Sequence, residues 1–390
     1  MADARESWIT GIGLVSCLGE GPEASLGALN EGKPRVDTTT FAPYLVHRVV
    51  PLDFDKQIPK KGDQRQMEPW QRIGTYAAGL ALDSAGVKGK AELLSRMDMI
   101  VAAGGGERDA QVDLNVTAGV ARAEKPEAFV NERLMNDLRP TLFLAQLSNL
   151  LAGNISIVHG VTGSSRTFMG EESAGVDAVR IAQARIAAGQ SDLALVGGAY
   201  NAERWEVMLH FAMGRCLIHG EHKSVWERAG MALGTIGAFL VLEEKSHAQA
   251  RGAKPVARIA AVASDHVRRT PGAVTGALER MWSTVKPRLD PAHSAVISGA
   301  SGVQPATSEE RDFLAAQDLA VRATATHFGH GLEPQFPANI AIAAAALRAG
   351  RMFAPYDRFE RPMDAPLRQV VVTSIGHWRG EGLALIEAVT

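Results

Sequence analysis

Glu172 holds the most informative position among the side chains of this sequence that can do acid, base or covalent chemistry. It sits in segment 168–199, where small residues lead into a helical pattern that stops at Gly189 and is followed by an apolar strand ending in Gly197-Gly198. A carboxylate at a helix start faces free backbone N–H groups and the positive end of the helix dipole, worth about 0.3–1 kcal/mol. One reading of Glu172 is therefore a helix-start acid. The other candidates are weaker. Cys17 and Cys216 lie far apart and follow no CxxC or CxxH pattern, so no metal site is expected and the thiols read as buried or idle. Gly163-Ser164-Ser165 and Ser173 do not fit G-x-S-x-G. The run Gly104-Gly105-Gly106 lacks both G-x-G-x-x-G and a P-loop lysine, and reads as a tight turn into an interface loop. No cofactor is implied.

The elements that must position these residues follow from composition and periodicity. With 390 residues the chain has length for two core-bearing units or one large duplicated domain. Hydrophobic residues make up 46%, yet no apolar run reaches the ~18 residues of a membrane span. The opening MADARESWITGIGLVS has no basic cluster ahead of an apolar core, so no signal peptide is expected and the location expected is cytoplasmic. Net charge is −2, from 41 basic and 43 acidic residues that are well interspersed, which leaves no basic stripe for nucleic acid.

Apolar strands alternate with helical stretches along most of the chain, the pattern of βαβ units around a largely parallel sheet, and the class is α/β. Strands are expected at 8–14, 99–103, 155–158, 193–196, 256–262, 295–297, 319–322 and 370–374, with a strand pair in 230–242. Helices are expected at 22–31 and 69–85, over an apolar-faced stretch within 132–154, and from Glu172 onward. Residues 200–228 read as irregular, and Trp205, Met208, Phe211, Met213 and Leu217 there form a stripe of core type. The polar stretch 243–254 reads as a charged helix with a glycine stop, and divides the chain into halves 1–250 and 251–390.

The motifs resemble those of β-ketoacyl-acyl-carrier-protein synthases of the thiolase superfamily. Thr10, Gly11, Gly13, Ser16 and Gly19 match the family's opening Thr-Gly-x-Gly-x-x-Ser-x-x-Gly. Counting back from Gly189-Gln190-Ser191-Asp192 through an ungapped helix lays Glu172-Ser173-Ala174-Gly175 on the family's Cys-Thr-Ser/Ala-Gly elbow, so Glu172 occupies the position of the acyl-accepting thiol. The resemblance spans essentially the whole chain and implies a thiolase-like duplicated five-layer αβαβα architecture.

Condensation in that family uses two histidines and a lysine besides the thiol. The stretch Ser298 to Pro305 places Ala300 where the first histidine would stand. The stretch Thr324 to Phe336 places Ala325 at the lysine and keeps His330 as the second histidine, while Glu333-Pro334-Gln335-Phe336 replaces a run of small residues. In the family's flexible gate, His377 replaces the phenylalanine, and Trp378 and Arg379 replace glycines, which restricts the turn and fills the pocket. A carboxylate cannot exchange thioesters as a thiol does, so no acyl-enzyme is expected.

What the resemblance implies is a non-condensing, chain-length-factor-like subunit of fatty-acid or polyketide assembly. It would pair with a catalytically complete Cys-His-His ketosynthase and an acyl carrier protein, with Met213, Leu217, His377 and Trp378 as substrate-facing candidates. Such subunits often carry glutamine at the cysteine site, so the acid at Glu172 is a departure. The alternatives are a repurposed acyltransferase or malonyl-carrier decarboxylase using Glu172 and His330, and a homodimeric acyl-binding scaffold.

Overall fold

The computed structural model describes residues 5–137, 144 and 146–389. Ten strands form one continuous mixed sheet: β1 (Ser7–Ser16), β2 (Asp98–Ala102), β3 (Ser165–Phe168), β4 (Leu193–Tyr200), β5 (Ile236–Glu244), β6 (Ala257–Asp265), β7 (Ser294–Ser298), β8 (Ala320–Ala323), β9 (Gln369–Ile375) and β10 (Glu381–Glu387). Their order is β8-β7-β9-β10-β6-β1-β5-β4-β2-β3, with a short strand Gly19–Glu20 added beside β1.

The order contains one pattern twice. In the first half β2 pairs parallel with β3 and β4, β4 antiparallel with β5, and β5 antiparallel with β1. In the second, β7 pairs parallel with β8 and β9, β9 antiparallel with β10, and β10 antiparallel with β6. The halves join where Ser7, Trp8 and Ile9 of β1 lie antiparallel to Ile259, Arg258 and Ala257 of β6. This is the duplicated α/β architecture expected above.

Helices fill the same place in each repeat. Helix α1 (Pro69–Ser84) packs on β1, β4 and β5, whereas α2 (Glu172–Ala187) follows β3. After α3 (Trp205–Met213), helix α4 (Ala273–Val285) covers β6 and β10. The single turn α5 (Ala325–Phe328) then leads to α6 (Gln335–Ala349), which follows β8 as α2 follows β3. Helices α2 and α6 touch each other and strands of both halves, and so form the middle layer. The sequence of α6, QFPANIAIAAAALRA, is apolar nearly all round, which suits a helix with no solvent face. Every residue from Gln335 to Leu347 is buried.

Some expected elements differ. Residues 155–158 are not a strand but lie in a helix, Leu150–His159, because Leu151, Ala152, Ile155 and His159 recur at helical spacing and bury one face. The edge strand of that region is instead β3, whose SRTF sequence carries little strand signal. Residues 200–228, expected to be irregular, contain α3. Strand β10 went unexpected although it joins β9 to β6. The helix expected within 132–154 lies partly at 138–143 and 145, outside the described residues.

Candidate functional site

Three loops at the ends of buried elements bring the site together. Glu172 is the first residue of α2, directly after Glu171, whose φ of 56° turns the chain sharply out of β3. His330 lies in the turn between α5 and α6, held on both sides by main-chain hydrogen bonds: its N–H donates to Ala232 O at 2.8 Å, and Gly234 N–H donates to its carbonyl at 3.0 Å. His377 lies in the turn between β9 and β10, closed by Gly376 N–H donating to Gly380 O at 2.8 Å. The Arg269 guanidinium braces that turn, donating to Gly376 O and to the Glu381 carboxylate.

Close approach of the two central helices requires glycine at one point. A Cβ on Gly175 would lie 2.2 Å from Glu333 O, so the absence of a side chain lets the start of α2 reach the turn before α6. That approach sets Glu172 against His330.

The Glu172 carboxylate is 1% exposed, and His330 is 0% exposed. Oxygen Oε1 of Glu172 accepts from His330 Nε2 at 2.7 Å, from His377 Nδ1 at 2.9 Å and from the His377 backbone N–H at 3.1 Å. Burial opposes ionisation, but the charge and hydrogen bonds of His377 and His330 outweigh it and hold Glu172 well below the ordinary carboxylate range. Burial likewise opposes the charged form of His377, yet the Glu172 charge and hydrogen bond, with Glu171 behind them, raise it. Oxygen Oε2 of Glu172 has no hydrogen-bond partner among the described residues.

Two further acids crowd the same place. The Glu171 carboxyl, 3.9 Å from His377 Nε2, is raised by burial and by the Glu172 charge, against the pull of His377. The Glu333 carboxyl is buried against Gly104, and burial above all, with help from Glu172 and Glu171, pushes it up to about 8. Neither was singled out from sequence as a site acid. The one signal was that Glu333 begins the bulky departure from the family's small-residue run.

The structure therefore unites Glu172, His330 and His377, with Trp378 beside them. Trp378 is 67% exposed and lines, with Arg268, Arg269 and Arg379, a cavity of about 580 Å³ at the surface. Phe211 of α3 meets the His377 ring edge-on at 5.4 Å, while Met213, two residues on, faces outward. Leu217 lines a separate surface cavity of about 320 Å³. Ala300 and Ala325 are buried together in an apolar cluster with Val225 and Trp226, and present no functional group.

Chemically, the arrangement is an ionised carboxylate clasped by two imidazoles. It can hold or pass a proton, but it offers no nucleophile for thioester exchange. Neither thiol replaces one: burial pushes Cys17 up to about 12 and also raises Cys216.

Comparison with known proteins places this geometry. The family model for the beta-ketoacyl synthase N-terminal domain matches residues 5–248. A 3-oxoacyl-[acyl-carrier-protein] synthase 2 of Vibrio cholerae is 28% identical over 268 residues, covering 65% of this chain and 62% of its own length. The actinorhodin polyketide putative beta-ketoacyl synthase 2 of Streptomyces coelicolor is 27% identical over 256 residues, covering 63% of this chain and 60% of its own length. The matched region thus spans about three fifths of these curated relatives. Among solved structures, the ishigamide ketosynthase/chain length factor superposes with a TM-score of 0.79 at 19% identity, covering 99% of this chain and 100% of that one. A beta-ketoacyl synthase from Burkholderia phymatum gives 0.77 at 19% identity with the same coverage. The fold is thiolase-like throughout.

Proposed function

The chain belongs to the β-ketoacyl synthase family, and from that premise we propose that it is a non-condensing, ketosynthase-like subunit that pairs with a catalytically complete Cys-His-His ketosynthase in fatty-acid or polyketide elongation. The observation that carries this reading is the carboxylate at the nucleophile position, fully buried and hydrogen-bonded by both imidazoles. Glu333 is buried against Gly104 beside the site, whereas Trp378 of the gate turn points out and lines a surface cavity with Arg379 instead of filling the interior as the sequence predicts. What remains is a large scaffold with surfaces for binding.

Two surface features support pairing. Strand β3 is a sheet edge with no strand on its outer side among the described residues, and Ile157 and Met169 next to it are mostly exposed. On α3, Trp205, Leu209 and Met213 recur every fourth residue on one face and are all more than half exposed. An acyl carrier protein would deliver substrate to the partner's thiol, and this chain would help set product length.

The test is purification of the tagged full chain from its native cell, with a malonyl-carrier condensation assay on what co-purifies. A Cys-His-His ketosynthase in equal amount, active only in the pair, supports the reading. A homodimer with activity of its own overturns it.

One observation favours a second reading. The 2.7 Å contact between Glu172 and His330 is the acid–base pair that a malonyl-carrier decarboxylase would use. In that case the purified chain decarboxylates malonyl carrier and loses the activity in Glu172→Gln and His330→Ala. A chain with no such activity sinks this alternative.

A further inference from the structure

Three N–H donors converge on one point of the site. His330 Nε2 at 2.7 Å, His377 Nδ1 at 2.9 Å and the His377 main-chain N at 3.1 Å all donate to the same atom, Glu172 Oε1. Donors gathered in this way form a cradle for a negatively charged oxygen, and this one sits at the N-terminal end of the 16-residue helix α2, where the dipole adds to the attraction. Each donor is held by contacts in which Glu172 takes no part. His330 is fixed by its main-chain hydrogen bonds with Ala232 and Gly234, and the next N–H, that of Gly331, donates to the Gln335 side chain at 2.9 Å. His377 is fixed by the Gly376–Gly380 closure of its turn, by the Arg269 brace and by Phe211 edge-on against its ring. Gly380 also lies so close to α2 that a Cβ on it would be 2.5 Å from Ser173 Cβ. The cradle is therefore preorganised and does not owe its shape to the carboxylate inside it.

The surroundings admit one negative charge and oppose a second. Glu171 and Glu333 flank the cradle, and burial above all pushes both carboxyls up, whereas Glu172 is held ionised by the donors it meets. Glu172 thus supplies the anion that the cradle binds, through Oε1 alone, since Oε2 has no donor among the described residues. A carboxylate carried on the chain has an effective concentration at its own site far above that of a free competitor. It excludes other anions without any special affinity.

We propose that the N–H groups of His330 and His377 form a binding site for a small carboxylate, and that Glu172 occupies it from within as a tethered inhibitor. The intact chain is closed to external anions at this point, and shortening Glu172 opens the site. Glu172→Ala removes Cγ, Cδ and both oxygens, the heavy-atom skeleton of acetate, so acetate fits the space left behind and replaces the lost acceptor. The Glu171 side chain, 34% exposed, borders the way in from solvent. The cradle and its occupant do not depend on pairing with a ketosynthase, and a chain without such a partner still has both. They also differ from a catalytic acid–base pair: a carboxylate that moves protons loses activity when it is removed, whereas one that plugs a cradle leaves a binding site.

The test compares the full-length parent, Glu172→Ala, and Glu172→Ala combined with His377→Phe, which keeps a ring against Phe211 but removes its N–H donor. Sodium acetate is titrated against sodium chloride at constant ionic strength, with acetamide as the uncharged isostere. Binding is read from thermal denaturation and from the resonances of carbon-13-labelled acetate. In Glu172→Ala, acetate should raise Tm saturably and regain about half or more of what the substitution lost, while acetamide does little. Adding His377→Phe should weaken acetate binding about tenfold or more, and the parent should not respond. If Glu172→Ala does not fold unaided, it is refolded from urea with and without acetate. Native circular dichroism only with acetate supports the cradle, and failure in both overturns it. The proposal is also overturned by a Glu172→Ala chain that acetate leaves unchanged, by a parent that responds as strongly, by acetamide acting as well as acetate, or by undiminished binding after His377→Phe.

Discussion

Replacing Glu172 with alanine removes the single acceptor shared by three donors: His330 Nε2, His377 Nδ1 and the His377 backbone N–H. The site is closed to solvent, so water does not readily take over these bonds. An orphaned buried donor costs about 1–3 kcal/mol, and breaking one partner out of a buried charged pair typically costs about 3–5 kcal/mol in total. For a chain of 390 residues the unfolding entropy is on the order of 0.8 kcal/mol per degree, so the expected fall in Tm is about 4–6 °C. Glu172→Gln retains one acceptor oxygen and loses the charge, and should fall by about half as much. The assay is thermal and urea denaturation of both variants beside the parent. An alanine variant within about 1 kcal/mol of the parent would refute the claim that this carboxylate organises the site.

Three further perturbations test the structure elsewhere. Burial pushes the Glu310 carboxyl up to about 7, against its hydrogen bonds from Thr373 and Ser298. The fold therefore prefers the protonated acid: stability is full below the unfolded value near 4.5 and is lost as pH rises towards 7, by about 3 kcal/mol. Glu310→Gln should flatten urea-measured stability between about pH 5 and 8, and an unchanged slope contradicts this. His159 and His327 are each pushed down to about 4, mainly by burial. The unfolded chain takes protons at these positions near pH 6.5 while the fold resists until about 4, so these two rings withdraw stability as pH falls through that window, opposite in sign to Glu310. The check is the difference from the parent: His159→Gln and His327→Gln should each lose less stability between about pH 7 and 5 than the parent does, and an unchanged pH dependence in both would contradict the burial of these rings. Gly175→Ala places a Cβ 2.2 Å from Glu333 O and should cost about 1–3 kcal/mol while moving Glu172 away from His330, measured by denaturation and by the histidine ring resonances. A variant as stable as the parent with unshifted resonances counts against that close approach.

The sequence alone determined the class, the alternation of strand and helix, and the identity of the residue at the nucleophile position. These are local properties: apolar periodicity reports which residues are buried, and the ungapped spacing from Gly189 back to Glu172 is one continuous helix. Ala300 and Ala325 stand as lost catalytic positions on the motif comparison, in which single positions are set side by side; the structure adds that both are buried in an apolar cluster. Where local signal was weak the sequence failed. The polar edge strand Ser165–Phe168 and the misread helix Leu150–His159 carry patterns that pairing and packing override.

Only the tertiary structure decided what Glu172 does. His330 is 158 residues from it in sequence and His377 is 205, and no periodicity connects such distances. Their meeting depends on the duplication, which sets α2 and α6 in one middle layer, and on Gly175, which lets them touch. From sequence His377 stands as a substrate-facing residue in the gate, not as a partner of Glu172, and Glu171 does not stand out as a site residue. Folding turned these two, with Glu172 and His330, into one largely buried cluster of acids and imidazoles, because side chains far apart along the chain share an environment only once the core has closed around them.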